Sequence, residues 1–267
     1  MKKRIAAVQM VSGPDIAQNL READRLVAAA AARGAQLVAL PEYFPLISGD
    51  ETEKVRVRER EDEGPLQDFL RGTALRHKVW LVGGSIPLEA SAPDKVRNSC
   101  LVFDAAGRRV ARYDKIHLFG FRSGTEQYNE SRTIEAGGEA VAFDSPVGRV
   151  GLSICYDLRF PELYRAMGPV DLLVVPAAFT HTTGQAHWEV LLRARAVENL
   201  CYVLASAQGG THPSGRRTWG DSMVVDPWGA VLERLPSGPG VVTAEMDPAR
   251  IAELRASLPA LEHRRFV

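Results

Sequence analysis

Cysteine is scarce in this 267-residue sequence: Cys100, Cys155 and Cys201 are far apart, odd in number and free of any C-x-x-C spacing. Neither a disulfide framework nor a zinc ribbon fits such a set, whereas reduced thiols in the cytoplasm do. Excess charge is also missing. Thirty-three basic side chains balance thirty-three acidic ones, so there is no electrostatic footprint for nucleic acid or an anionic membrane. A small molecule is the expected partner. No apolar run reaches the roughly 18 residues of a transmembrane helix. Met1-Lys2-Lys3-Arg4 passes into Ile5-Ala6-Ala7-Val8 and meets Gln9, too short a stretch for the apolar core of a signal peptide. Internal repeats, low-complexity segments and linkers are absent too. The expected organisation is one domain over 1–267, with a tail from about 259.

What is present is an alternation of strand-length apolar runs with helical periods. Strands are expected at Arg4–Met10, Gln36–Leu40, Val79–Ile86, Ser99–Asp104, Arg109–Tyr113, Val150–Ile154, Leu172–Val175, Cys201–Ala205, Ser222–Val225, Ala230–Leu235 and Gly240–Met246. Helices are expected at Ile16–Arg33, Pro65–His77, Pro161–Met167, Trp188–Glu198 and Pro248–Leu258, and Ala105-Ala106-Gly107-Arg108 reads as a hairpin turn. Leu172-Leu173-Val174-Val175 is apolar at successive positions, so both faces of that strand must be covered. Helices on one side and a second sheet on the other meet this need. The expected class is a layered α/β sandwich with mixed sheets and helices outside.

Three strand ends carry reactive side chains. Glu42 follows Leu37-Val38-Ala39-Leu40-Pro41, where a desolvated carboxylate is a candidate general base; alone, such a glutamate is more often a capping or ion-paired group. Lys115 follows Arg112-Tyr113-Asp114 and could supply a fixed charge to an oxyanion, although a lone lysine is more often a surface residue. His117 is read as a hydrogen-bonded structural histidine. Cys155 ends Val150-Gly151-Leu152-Ser153-Ile154 and precedes a helix. A strand-to-helix turn there exposes the thiol and sets it at the positive end of the helix dipole, which lowers a thiol pKa. Cys100 and Cys201 lie within strands and are read as inert.

In combination, these segments resemble the nitrilase superfamily, whose members carry a glutamate, a lysine and a cysteine in that order. The matching motifs are Leu40-Pro41-Glu42, Tyr113-Asp114-Lys115-Ile116-His117-Leu118 and Cys155-Tyr156-Asp157-Leu158-Arg159-Phe160-Pro161-Glu162. The blocks Thr183–Ala196 and Ser222–Gly229 are similar to the Nit amidase branch, although Gln185 stands where that branch carries proline. The resemblance implies an α-β-β-α sandwich that forms four layers, no metal and no organic cofactor. It also implies assembly as a homodimer or higher homo-oligomer, with the tail His263-Arg264-Arg265 across an interface.

The resemblance further implies roles. Glu42 would act as the base, Cys155 as the nucleophile, and Lys115 with the Tyr156 amide as the oxyanion donors. Glu130, in Tyr128-Asn129-Glu130-Ser131, would orient Lys115. Tyr156, Arg159, Phe179 and Thr180 fall at oxyanion and substrate positions. Arg159 is expected to pair with Glu162, with a substrate carboxylate as the alternative; Arg122, Arg216 and Arg217 are further candidates for that carboxylate. The implied substrate is a small linear amide, deaminated glutathione before 2-oxoglutaramate. Nitriles, N-carbamoyl amino acids and a catalytically silent binding module are the rival readings. If Lys115 works only in the transition state, Lys115→Met should cost activity and little stability.

Overall fold

The computed structural model describes residues 1–124 and 126–265; the last two positions of the expected tail and Thr125 of the 120–130 loop lie outside the described residues. Two sheets stack face to face. One holds Lys3–Gln9, Leu37–Ala39, Trp80–Val82, Ile86–Glu89, Val96–Phe103, Arg109–Asp114 and Gly240–Met246. The other holds Ala142–Ser145, Gly148–Leu152, Leu172–Ala177, Tyr202–Ala207, Ser222–Val225 and Val231–Leu235. In each sheet the central strands pair in parallel and the outer ones antiparallel. Both sheets are thus mixed, as expected.

The period of two in the strands decides which side chains meet. Ile5, Ala7, Leu37 and Ala39 face the second sheet and share a core with Leu152, Val174 and Leu204. Their neighbours Ala6, Val8, Val38 and Leu40 face the other way, onto Leu26, Val27 and Leu70 of the helices Ile16–Ala32 and Pro65–His77. Leu172 through Val175 are all fully buried, because the helix His181–Asn199 covers their outer face with Trp188, Leu192 and Ala196. Four layers result, helix, sheet, sheet and helix. Each fully buried aliphatic side chain contributes on the order of 1.5–3 kcal/mol to holding them. A polar seam also sets the sheets in register: Gln9 Oε1 accepts from both the amide and the hydroxyl of Ser222 at 2.8 Å, and Ser206 Oγ donates to the Ala39 carbonyl at 3.1 Å.

Two expected elements differ. The strand expected over Val79–Ile86 stops at Val82 and resumes at Ile86, because Gly84 turns the chain at φ 57°. The helix expected at Trp188–Glu198 begins earlier, at His181. Thr180 caps it by accepting from the Thr183 amide, and Gly184 leaves room for Trp219, whose Cβ would lie 2.3 Å from an added methyl. Two short hairpins, Gly120–Ser123 with Glu126–Asn129 and Gly209–Thr211 with Arg217–Trp219, were not read from the sequence. Among the described residues no helix is long and apolar enough to cross a membrane.

Gly84 sits directly beneath the segment that carries Glu42. A Cβ there would come within 2.2 Å of the Pro41 carbonyl oxygen. Gly84→Ala is expected to cost at least about 2 kcal/mol of stability through backbone strain and displacement of Pro41. An unchanged urea-unfolding midpoint would contradict this.

Candidate active site

The strand Leu37–Ala39 ends where Pro41 removes a backbone donor, and Tyr43 is then held in the left-handed region at φ 54°. That turn points Glu42 inward. Its side chain is buried but accepts three hydrogen bonds, from Lys115 Nζ at 2.9 Å, Asn98 Nδ2 at 3.0 Å and the Ala178 amide at 2.9 Å. The three donors come from both sheets, so the carboxylate is fixed by the sandwich itself.

Lys115 is not a surface residue. Its side chain is 0% exposed, and its ammonium lies between two carboxylates, 2.9 Å from Glu42 Oε1 and 2.9 and 2.8 Å from the two oxygens of Glu130. Burial alone works to lower its pKa, but Glu130, Glu42 and the neighbouring Cys155 outweigh burial and push it well above the usual lysine range. Burial likewise opposes ionisation of Glu130. The Lys115 charge and hydrogen bond, the Phe119 amide and the Tyr43 hydroxyl nevertheless hold it below the usual carboxylate range. The cluster stays charged because its members are paired.

Cys155 opens the single-turn segment Cys155–Arg159 directly after the strand Gly148–Leu152 and two connecting residues. Its backbone is in the left-handed region at φ 51°, a strained conformation of the kind that clusters at functional sites. Burial, and after it the Glu42 charge, push its thiol well above the usual range, and the opposing pull of Lys115 does not compensate. The expected helix-dipole lowering is therefore corrected: desolvation wins, and the resting thiol is neutral. Cys100 and Cys201 are also buried, and burial pushes the Cys201 thiol up to about 12.

Asp157 ties these pieces together, and sequence reasoning missed its role. Its buried carboxylate accepts from the Ile154 amide at 2.8 Å, the Tyr113 hydroxyl at 2.7 Å and the His117 amide at 3.0 Å. His117 Nδ1 lies 2.8 Å from it, and the ring stacks on Phe160 at 3.7 Å, the structural place expected for this histidine. The Cys155 turn and the Lys115 strand end thus share one anchor. An acid at the third position of a helix start is the signal that could have found it. Asn98 and Tyr43 were missed as well; a buried asparagine inside a strand has no comparable local signature.

Glu42, Glu130, Cys155, Tyr156, Arg159, Phe179 and Thr180 all border one pocket. The Tyr156 amide is in the first turn of its helix, where no intrahelical acceptor exists. The Thr180 hydroxyl is already engaged by Thr183 at 2.8 Å, so its part there is capping. The expected Arg159–Glu162 pair does not form among the described residues. Arg159 instead bonds His187 Nδ1 at 3.2 Å and lies over the rings of Tyr156 and Phe179. Arg216 reaches the same pocket, whereas Arg122 and Arg217 are exposed away from it. A neutral thiol beside a fixed carboxylate, a buried ammonium and a free amide suits nucleophilic attack on a carbonyl with stabilisation of the resulting oxyanion.

Residues 4–256 match the carbon-nitrogen hydrolase family model. A Synechocystis deaminated glutathione amidase is 43% identical over 98% of both chains. The omega-amidase NIT2 of Xenopus tropicalis is 38% identical over 99% of this chain and 95% of its own. Among solved structures, Saccharomyces cerevisiae Nit3, a member of the nitrilase superfamily, superposes with a TM-score of 0.87 at 32% identity, covering 99% of this chain and 97% of that one.

The burial of Lys115 overturns the expectation that its loss spares stability. Lys115→Met would leave Glu42 and Glu130 as buried, unpaired carboxylates, a loss of about 3–5 kcal/mol. Adding Glu130→Gln should return part of it. Equal unfolding midpoints for wild type and Lys115→Met would contradict the buried pairing.

Proposed function

Because the chain belongs to the carbon-nitrogen hydrolase family, we propose that it is an amidase that cleaves deaminated glutathione to 2-oxoglutarate and cysteinylglycine through a thioester on Cys155. The observation that carries the reading is the Cys155 thiol in one pocket with a Glu42 carboxylate that three donors hold in place. Glu42 takes the thiol proton as sulfur attacks the amide carbonyl. The oxyanion is met by the Tyr156 amide and the Lys115 ammonium. The ammonium is engaged by Glu42 Oε1 and by both Glu130 oxygens, so the oxyanion must replace one of the Glu130 contacts. Glu42 returns its proton to the departing amine, and the acyl group remains on sulfur. A water then loses a proton to Glu42 and attacks the thioester, and the released thiolate recovers that proton. Glu130 orients Lys115 throughout.

The substrate class rests on the curated relatives, named deaminated glutathione amidase and, at 38% identity, omega-amidase. Arg159, half-buried against two aromatic rings with no carboxylate partner among the described residues, suits the 2-oxo acid end of such a substrate; a bidentate arginine contributes on the order of 1.5–3 kcal/mol. A cytoplasmic location and a homodimer belong to the same reading. Three unpaired thiols suit a reducing compartment, and Val190, Val197 and Trp228 are exposed apolar side chains that a second copy would cover. Sedimentation equilibrium distinguishes a dimer from a monomer.

Purified protein should hydrolyse deaminated glutathione fastest, 2-oxoglutaramate more slowly and nitriles not at all. Cys155→Ala should lose at least about a thousandfold, roughly 4 kcal/mol of barrier, while remaining folded. Faster turnover of a nitrile or an N-carbamoyl amino acid would overturn the substrate reading, and an active Cys155→Ala would overturn the chemistry.

A further inference from the structure

We propose that Arg216 determines specificity for the leaving half of the substrate by holding the carboxylate at the far end of the departing dipeptide. This rests on the amidase reading above and adds to it a second, separate anion site. Arg216 immediately precedes the strand Arg217–Trp219, in the turn of its hairpin. His212 anchors that turn: its amide donates to the Arg216 carbonyl at 2.8 Å, and its two ring nitrogens lie 2.8 Å from the Ser12 carbonyl and the Thr218 hydroxyl.

The Arg216 side chain stands at a junction. Among the described residues it alone borders three adjoining spaces: the Cys155 pocket, the cleft beside Tyr128 and Arg132, and the groove beside Ile47 and Lys54. Its guanidinium lies over the Tyr128 ring at 5.7 Å, and Nη2 donates to the Ala178 carbonyl at 3.3 Å. The buried Nε has no partner. Buried donors in native structures are nearly always satisfied; this guanidinium makes one side-chain hydrogen bond among the described residues and borders three spaces, so it has donors left for an acceptor from outside. The acids nearby are already committed. Asp50 pairs with Arg56 at 3.2 Å, Glu51 with Lys54, and Glu130 with Lys115.

The position of Arg216 assigns it to the leaving half. The acyl group stays bound to Cys155 until water releases it, in the pocket that Arg159 also borders. The amine must depart, and the wider cleft on the other side of Arg216, of about 450 Å3 and lined by Tyr128 and Arg132, gives it a way out. Cysteinylglycine carries a carboxylate at its far end and ammonia carries none. A cation at this junction therefore favours deaminated glutathione over 2-oxoglutaramate without touching the shared acyl half.

The test compares wild type, Arg216→Met and Arg216→Lys on three substrates: deaminated glutathione, its C-terminal carboxamide and 2-oxoglutaramate. Arg216→Met should lower the ratio of kcat/KM for deaminated glutathione to that for 2-oxoglutaramate by at least about tenfold, mainly through KM, as expected for loss of a bidentate charged contact. Arg216→Lys should recover part of the ratio. Capping the carboxylate should cost wild type a similar factor and Arg216→Met almost nothing. A ratio unchanged in Arg216→Met, or an equal loss on both natural substrates, overturns the proposal while leaving the amidase reading intact. If wild type itself prefers 2-oxoglutaramate, the substrate reading fails first and this inference falls with it.

Discussion

A fully buried ammonium persists only where anions replace the water it has lost. Lys115 meets that condition through Glu42 on one side and Glu130 on the other, and the remaining site geometry follows from it. Glu42 must come from the end of one strand, Lys115 from the end of another three places away in the same sheet, and Glu130 from the base of a hairpin beyond. Each carboxylate is held by further donors, the Asn98 and Ala178 groups for Glu42 and the Phe119 amide and Tyr43 hydroxyl for Glu130. Moving any one of these strands would strand a charge in the core. The sandwich and its polar centre therefore stabilise each other, and the fold has little freedom to relax around the site.

The same low-polarity surroundings act in the opposite sense on Cys155. Without an adjacent cation strong enough to offset burial and the Glu42 charge, the thiol rests neutral. In the proposed mechanism, reaction then depends on proton transfer to Glu42 at the moment of attack, which couples the nucleophile to the base that also serves the leaving amine. Positive φ at Cys155 and at Tyr43, the residue after Glu42, shapes the two turns that bring Cys155 and Glu42 to one pocket. Asp157 holds the first of them by tying the Cys155 turn to the end of the Lys115 strand through four short contacts.

Much of this was legible in the residues. The unbroken apolar run Leu172–Val175 announced a sheet covered on both faces, and the three strand ends marked Glu42, Lys115 and Cys155. The environments of those side chains were less legible. Whether Lys115 is exposed depends on Glu130, fifteen residues on, folding back over it, and local sequence does not report such a contact. The thiol shift was misread because dipole and burial oppose each other, and only the packed structure tells which is larger. The early start of the helix His181–Asn199 was hidden by Thr182, Thr183 and Gly184, poor helix formers that a threonine cap and a close-packed tryptophan make tolerable.

The account stands or falls on a covalent intermediate at one sulfur. Rapid quenching of the protein during turnover of deaminated glutathione, followed by intact and peptide mass analysis, measures it directly. A 2-oxoglutaryl thioester should be found on the peptide containing Cys155, appear before the first turnover is complete and disappear as substrate is exhausted. Undiminished turnover with no adduct on that peptide, or an adduct on Cys100 or Cys201 instead, would contradict the mechanism.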